Sequence, residues 1–390
     1  MDNDIVYVDN NATTCLDPEV FEAMKPFLTD YYGNPSSVYP FSGPAGAALR
    51  QARQTLAQLL GATPEEIIFT SCGSESNNTA IMSALQTQTE RRKVLTTVVE
   101  HPAVLNLCRS LQKQGYQVDY LSVDSQGRIN LDEALSLIDE ETAIVSVMFA
   151  NNEIGNIYPI YELAEMAHAK GALFHTDAVQ AVGKIPVNLA ASKIDFLSLS
   201  GHKLHAPKGV GALYKRRFVP YAPWLIGGHQ EHGMRAGTEN VAGIAALGKA
   251  AELTMRNMMA EKQLVSKLRD RLEAGLLANC PSAQVNGDRK NRLPNTTSIA
   301  FKYIEGEAIL LRLYLAAKVC ASSGSACTTG SLEPSHVLRA TGMPYQALHG
   351  SIRFSFSRFN SEKDVDIILD TLPKIVRDLR ELSPFGRGEK

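Results

Sequence analysis

Short apolar runs alternate with helix-spaced apolar positions across residues 60–215. The runs at 66–70, 93–98, 117–121, 143–150, 173–176 and 196–200 are strand-length. Between them, 75–85, 101–114, 131–138 and 160–170 repeat apolar residues at helical intervals. Strands apolar on both faces and separated by helices predict a mostly parallel sheet covered on each side. Past residue 240 the order changes. A long helix is predicted over 241–279, followed by a strand at 297–301 and a helix at 306–315. A helix opening at Pro334, a strand at 351–357 and a helix over 362–382 complete the chain. This half reads as a smaller α+β unit, without repeats or a heptad run.

One segment breaks the pattern. In residues 322–331, eight of ten are Gly, Ser or Thr, and they surround Cys327. With so little side-chain bulk to hold it, the segment is predicted to be a mobile surface loop. A thiol there is reachable, unlike a cysteine packed as a small hydrophobe, and reads as a tethered nucleophile.

Composition excludes more than it selects. The 390 residues are 44% hydrophobic and 21% charged, ordinary for a soluble chain of two or three domains. A net charge of −2 gives no electrostatic footprint for nucleic acid or a membrane surface. Apolar stretches such as 143–150 are too short to span a bilayer. The acidic start, Met1-Asp2-Asn3-Asp4, lacks the basic and apolar regions of a signal peptide. Six scattered cysteines without a Cys-x-x-Cys pair predict reduced thiols and a cytoplasmic location.

Ligands of open parallel sheets bind beyond the carboxyl ends of the strands. Polar residues gather at those ends: 70–74, His101, 151–153, 177–180 and 200–203. A lysine just past a buried strand, Lys203, is placed for the desolvation that makes an amine nucleophilic, although a lone lysine there is more often a solvated cap. Asp177 either caps a helix or, buried, needs a cationic partner such as a protonated pyridine nitrogen. Gly73 and Ser74 offer free amides at a helix start, which hold an anion or merely cap the helix. His101 opens a helix and suits stacking on a ring or moving protons. Arg353 alternates with Ile352 and Phe354 on a strand and suits a bidentate grip on a carboxylate. No phosphate-binding glycine motif of a nucleotide fold is present, and His202 and His205 lack metal-ligand spacing with the cysteines, so no intrinsic metal site is expected. Lys203, Asp177 and the Gly73–Ser74 cup together match the aldehyde, ring nitrogen and phosphate of one cofactor, pyridoxal 5'-phosphate.

Several longer runs carry a resemblance: 7–14 (YVDNNATT), 33–37 (GNPSS), 97–104 (TVVEHPAV), 150–155 (ANNEIG) and 175–184 (HTDAVQAVGK). They continue through 200–209 (SGHKLHAPKG), 235–240 (RAGTEN), 322–338 (SSGSACTTGSLEPSHVL) and 352–355 (IRFS). With these the chain resembles the cysteine desulfurases of the aminotransferase class V group, most closely the nitrogen-fixation type. The resemblance implies the fold type I α/β architecture of pyridoxal-phosphate transferases. A large cofactor domain would span 16–256, and a small domain, 1–15 and 257–390, would carry the cysteine loop. Lys203 would hold the cofactor as a Schiff base, Asp177 would pair with the ring nitrogen, Gln180 would bond the ring hydroxyl and His101 would stack on the ring. Gly73, Ser74, Ser200 and His202 would bind the phosphate, with Thr238 reaching across from a second subunit of a homodimer. Asn152 would contact cofactor and substrate, and Arg353, helped by Asn34, would clamp the carboxylate of L-cysteine.

Cys327 would accept the sulfur as a persulfide, leave L-alanine, and pass the sulfur to an iron–sulfur scaffold protein, with transient ligation of a cluster on that scaffold. The implied role is iron–sulfur cluster assembly, extending to nitrogenase maturation. A selenocysteine lyase or aminotransferase of the same fold is the nearest alternative, and a catalytically inactive scaffold-docking protein is a more distant one. The loop thiol sets the first pair aside, and intact Lys203, Asp177 and Cys327 weigh against the last.

Overall fold

A computed structural model describes residues 5–323 and 334–384. Cys327 and most of its segment therefore lie outside the described residues. The large sheet has seven strands in the order Ile67–Thr70, Gly211–Lys215, Phe196–Ser200, Leu173–Asp177, Thr142–Ser146, Lys93–Thr97 and Gln117–Leu121. Only Gly211–Lys215 runs against its neighbours, so the sheet is mostly parallel, as predicted. The strand Phe196–Ser200 is buried throughout, because helices cover both faces of the sheet.

Besides the short helix Pro18–Met24, two larger elements of this region were not foreseen. One is the antiparallel strand Gly211–Lys215. The other is the 18-residue helix Gly43–Leu60, although its buried Ala45, Leu49, Ala52, Leu56 and Leu60 recur at helical spacing. That helix packs on Val241–Asn279 at very short range. A Cβ at Gly248 would lie 2.7 Å from Ala52 Cα, so the crossing requires glycine there.

The 39-residue helix Val241–Asn279 joins two cores. Its first half, with Ile244, Leu247 and Leu253, belongs to the core around the large sheet. Its second half, with Val265, Leu268, Leu272 and Leu276, packs with Phe301, Phe354 and Val376. The N-terminal Val6 and Val8 also join this second core. A four-stranded sheet lies there, ordered Ser322–Ser323, Ser351–Ser355, Thr296–Phe301 and Ala283–Val285. Val337 and Leu338 lie in the second half of the sequence but pack into the first core.

Boundaries shift where capping decides them. The strand expected over 143–150 ends its ladder at Thr142–Ser146, and Met148 beyond it lines the pocket described below. The helix expected to open at Pro334 begins at His336, with Ser335 as its cap accepting from the Val337 and Leu338 amides. Of the expected loop over 322–331, residues Ser322–Ser323 form a short strand against Arg353 and Ile352.

A buried ion pair ties the sheet edge to the surface turn at Gln230–Gly233. Arg53 Nη1 and Nη2 donate to the Glu231 carboxylate at 2.8 and 2.6 Å, and the Phe69 amide donates to it at 2.9 Å. Removing one partner leaves an uncompensated buried charge. Arg53→Ala is therefore expected to destabilise the protein by about 3–5 kcal/mol. Urea unfolding checks this, and a midpoint equal to wild type would contradict it.

Candidate active site

A pocket of about 330 Å³ opens at the carboxyl ends of the large sheet's strands. Lys203, Asp177, His101, Gln180, Gly73, Ser74, Asn152, Ser200, His202 and Arg353 all line it. The strand-end reading thus gathers ten expected residues into one place. Asn34 and Thr238 are not among the lining residues; both are exposed on loops. Asn34 Oδ1 accepts from the Ser36 amide at 3.0 Å.

Each side chain is placed by its element. Strand Phe196–Ser200 ends in the 3-10 turn Gly201–Lys203, which presents Lys203 to the pocket. Its Nζ donates to the Asn11 carbonyl, and to the Ala12 carbonyl at 2.5 Å. Asp177 closes the strand Leu173–Asp177 and is buried. Its carboxylate accepts from Asn77 Nδ2 at 2.6 Å and from the Val179 amide at 3.0 Å. Asn77 lies four residues after Gly73, on the same side of helix Gly73–Thr87. It was not anticipated, yet that spacing was the signal that could have found it. Asn11 and Ala12 were visible only as part of a longer run.

His101 caps the helix Pro102–Lys113, its Nδ1 accepting from the Ala103 amide at 3.1 Å. Nδ1 is therefore unprotonated there, which leaves Nε2 to carry the ring proton. Burial holds His101 below the ordinary imidazole range, nearby Asp177 opposes that, and Lys203 adds to it. Burial, reinforced by Lys203, pushes His202 down to about 4, so this ring is neutral beside Thr13 Oγ1 at 3.1 Å. Gln180 is held by giving Nε2–H to the Asn11 carbonyl at 2.9 Å and accepting from Lys184 Nζ at 2.9 Å. Lys184 is half-buried, and burial with Lys203 close by pushes its amine down to about 7.

Arg353 comes from the second core. Its Nη1 donates to the Asn152 carbonyl at 2.9 Å and its Nη2 to Asp9 Oδ1 at 2.6 Å. Its Nε is buried without a partner among the described residues. Two buried carboxyls stand behind the pocket. Burial pushes Glu100 up to about 8 and Glu153 up to about 7. His336 Nε2 donates to the Glu100 carbonyl at 2.9 Å, and burial holds that ring below the usual range. It is thus a neutral ring with its proton committed, a poor source of positive charge for a neighbouring thiolate.

The pocket's chemistry fits pyridoxal 5'-phosphate on two observations besides its lining. The first is the Gly73 end. A Cβ there would meet Val179 Cγ2 at 2.7 Å, so this helix start, whose first amides lack intrahelical partners and suit an anion, packs against Val179 closely enough to favour glycine. The second is the polar atoms left over. Asn77 Oδ1 and Arg353 Nε, both on residues lining the pocket, lack partners among the described residues. No group of three or more His, Cys, Asp or Glu suited to a metal ion occurs among the described residues.

The chain was compared with known proteins. The aminotransferase class V family model matches residues 6–368. A cysteine desulfurase of Nostoc sp. is 58% identical over 385 residues, covering 99% of this chain and 96% of that one. The cysteine desulfurase NifS of Azotobacter vinelandii is 57% identical over 384 residues, covering 98% and 95%. Among solved structures, a NifS-like protein superposes with a TM-score of 0.90 at 38% identity, covering 96% of this chain and all of its own. The chain belongs to the class V aminotransferases, within their cysteine desulfurase group.

Proposed function

We propose that this protein is a pyridoxal-phosphate-dependent cysteine desulfurase that moves the sulfur of L-cysteine onto Cys327 and releases L-alanine. The observation that carries the reading is the convergence of Lys203, Asp177, His101 and Arg353 on one pocket. When bound there, the cofactor supplies an electron sink for the pair left at the substrate Cα. The chain does the rest. Asp177, fixed by Asn77 and the Val179 amide, favours a proton on the ring nitrogen. Gly73, Ser74, Ser200 and His202 would hold the phosphate end, and Gln180 would meet the ring hydroxyl. The Lys203 amine takes and returns the proton at the substrate Cα. His101, a neutral ring held through Nδ1 by the Ala103 amide, can give its Nε2 proton, and takes the substrate thiol proton only by releasing that amide. The Cys327 thiolate forms a new S–S bond to the substrate sulfur as the C–S bond breaks. The carbon product, once protonated, is alanine.

Incubation of the holoenzyme with L-cysteine and a thiol reductant tests this. Equimolar alanine and sulfide support it; 3-mercaptopyruvate, with the sulfur retained and no sulfide released, would favour transamination instead.

Arg353 provides the grip on the substrate carboxylate. Hydrogen bonds to a charged group contribute about 1.5–3 kcal/mol, or roughly 10- to 150-fold in affinity. Arg353→Lys keeps the charge and loses the fork. It is expected to raise KM for L-cysteine by about that range with a smaller change in kcat. An unchanged KM would take the carboxylate away from Arg353.

The active form is proposed to be a homodimer in which Thr238 of one subunit completes the phosphate site of the other. Apolar side chains exposed near Asn34 and ahead of Thr238 support this: Tyr32 is 73%, Val38 102% and Ile226 87% exposed. A sedimentation mass equal to one chain would count against it. The persulfide is proposed to pass to an iron–sulfur scaffold protein, in keeping with the family resemblance. The five cysteines among the described residues are all free, which supports a reducing, cytoplasmic setting. No helix among the described residues is long and apolar enough to cross a membrane.

A further inference from the structure

The described chain on both sides of residues 324–333 is fastened to the elements that line the pocket. On the amino side, Ser322 pairs with Arg353 across the small sheet. On the carboxyl side, Ser335 and His336 are bonded to the direct neighbours of two pocket residues. Ser335 Oγ donates to Glu153 Oε2 at 2.5 Å, and Glu153 follows Asn152. His336 Nε2 donates to the carbonyl of Glu100, which precedes His101. Val337 and Leu338, fully buried in the first core, fix the same turn from below.

The hydrogen bonds of Ser335 are all committed. Its oxygen accepts from the Val337 and Leu338 amides at 3.1 and 3.2 Å, so both lone pairs are used. Its hydroxyl proton must therefore go to an acceptor, and Glu153 is that acceptor. The turn carrying Glu153 also carries Asn152, whose carbonyl holds Arg353 at 2.9 Å. One turn thus holds the arginine of the pocket and the end of the segment bearing Cys327. Eight residues separate Cys327 from Ser335 in sequence, and eight residues of chain reach about 28 Å at most.

We propose that Glu153 is a positioning residue for sulfur transfer: by accepting from Ser335 it fixes the carboxyl-side end of the cysteine segment to the turn that also fixes Arg353. The proposal rests on the desulfurase reading. Glu153 touches neither substrate nor cofactor; it acts through Ser335. Misplacing a reacting group by about 1 Å costs on the order of 10²-fold in rate. A free carboxyl-side end should therefore slow transfer to Cys327 without weakening the capture of cysteine.

The test uses the holoenzyme and the variants Glu153→Ala, Glu153→Gln and Ser335→Ala. Two quantities are read. One is the half-saturating L-cysteine concentration for the change in cofactor absorbance. The other is the single-turnover rate of alanine formation without reductant, which counts one sulfur moved to Cys327 per chain. Glu153→Ala and Ser335→Ala are expected to slow the single turnover by about 10- to 100-fold, with half-saturation within about twofold of wild type. Glu153→Gln retains an acceptor oxygen and is expected to transfer sulfur within about threefold of wild type. A wild-type rate in Ser335→Ala or Glu153→Ala overturns the proposal. So does a loss in Glu153→Gln as large as in Glu153→Ala, or a loss that appears in half-saturation instead of transfer. If Glu153→Ala does not fold, Ser335→Ala and Glu153→Gln still decide. An inactive wild-type holoenzyme would instead overturn the desulfurase reading, so the two failures are distinguishable.

Discussion

Lys203→Ala is expected to lower turnover of L-cysteine by on the order of 10⁴-fold, the upper end of what one positioned acid–base group contributes. The amine has two functions in the proposed reaction, covalent attachment of the cofactor and proton movement at the substrate Cα, and alanine supplies neither. The backbone should be unaffected. Lys203 sits at the end of a short 3-10 turn, and its Nζ donates to the carbonyls of Asn11 and Ala12. Two measurements check the expectation. Borohydride treatment followed by peptide mass should mark Lys203 in the wild type and nothing in the variant, and alanine release gives kcat. Turnover within tenfold of wild type would remove Lys203 from the proton step.

Cys327→Ala is expected to reduce alanine and sulfide release from L-cysteine by on the order of 10²-fold or more, because the covalent route is lost with its nucleophile. The yellow cofactor colour, its response to cysteine and the thermal midpoint should all stay as in the wild type. This pattern separates Cys327 from Lys203, whose loss changes the cofactor itself. Equal activity in both proteins would sink the persulfide route and move a lyase reading to the front, since carbon–sulfur or carbon–selenium cleavage can then proceed without a loop thiol. Alkylation of the wild type with iodoacetamide should reproduce the variant. A free thiol near its reference pKa of about 8.5 is mostly protonated at neutral pH. His336, neutral and bonded to the Glu100 carbonyl, offers it no positive charge.

The two cores divide the work. The large sheet supplies Lys203, Asp177, His101 and the Gly73 helix start from its strand ends. The second core supplies Arg353 from the strand Ser351–Ser355. The N-terminal stretch crosses between them. Val6 and Val8 pack in the second core, while the Asn11 side chain bonds the Asn152 carbonyl at 3.1 Å and Thr296 Oγ1 at 2.9 Å. A substitution at Asn11 therefore touches both halves of the pocket.

Local pattern determined a great deal. The helices Val241–Asn279 and Glu362–Leu382 begin and end where the apolar spacing placed them, since long periodic segments with clear caps leave little room for another reading. Strands apolar on both faces announced a covered parallel sheet, and the strand-end rule then pointed to the residues of the pocket. Elements without that signature were missed. Gly211–Lys215 is five residues long and takes its antiparallel place only from its neighbours. Gly43–Leu60 holds a proline and two glycines in its first turn, which masked a helical repeat that burial against Val241–Asn279 makes plain.

What tertiary structure alone decided is how distant groups meet. The amide that fixes Asp177 comes from Asn77, a hundred residues away, and the carbonyls beside Lys203 come from Asn11 and Ala12 at the start of the chain. The clasp of Ser335 on Glu153 joins residues 182 apart. Sequence fixes which residue types are available and which element carries each one, because those follow from neighbours within a few turns. Which of them face one another depends on how the strands are ordered and how the two cores are joined. That order follows from the burial of whole faces against each other, a property no single stretch of the chain contains.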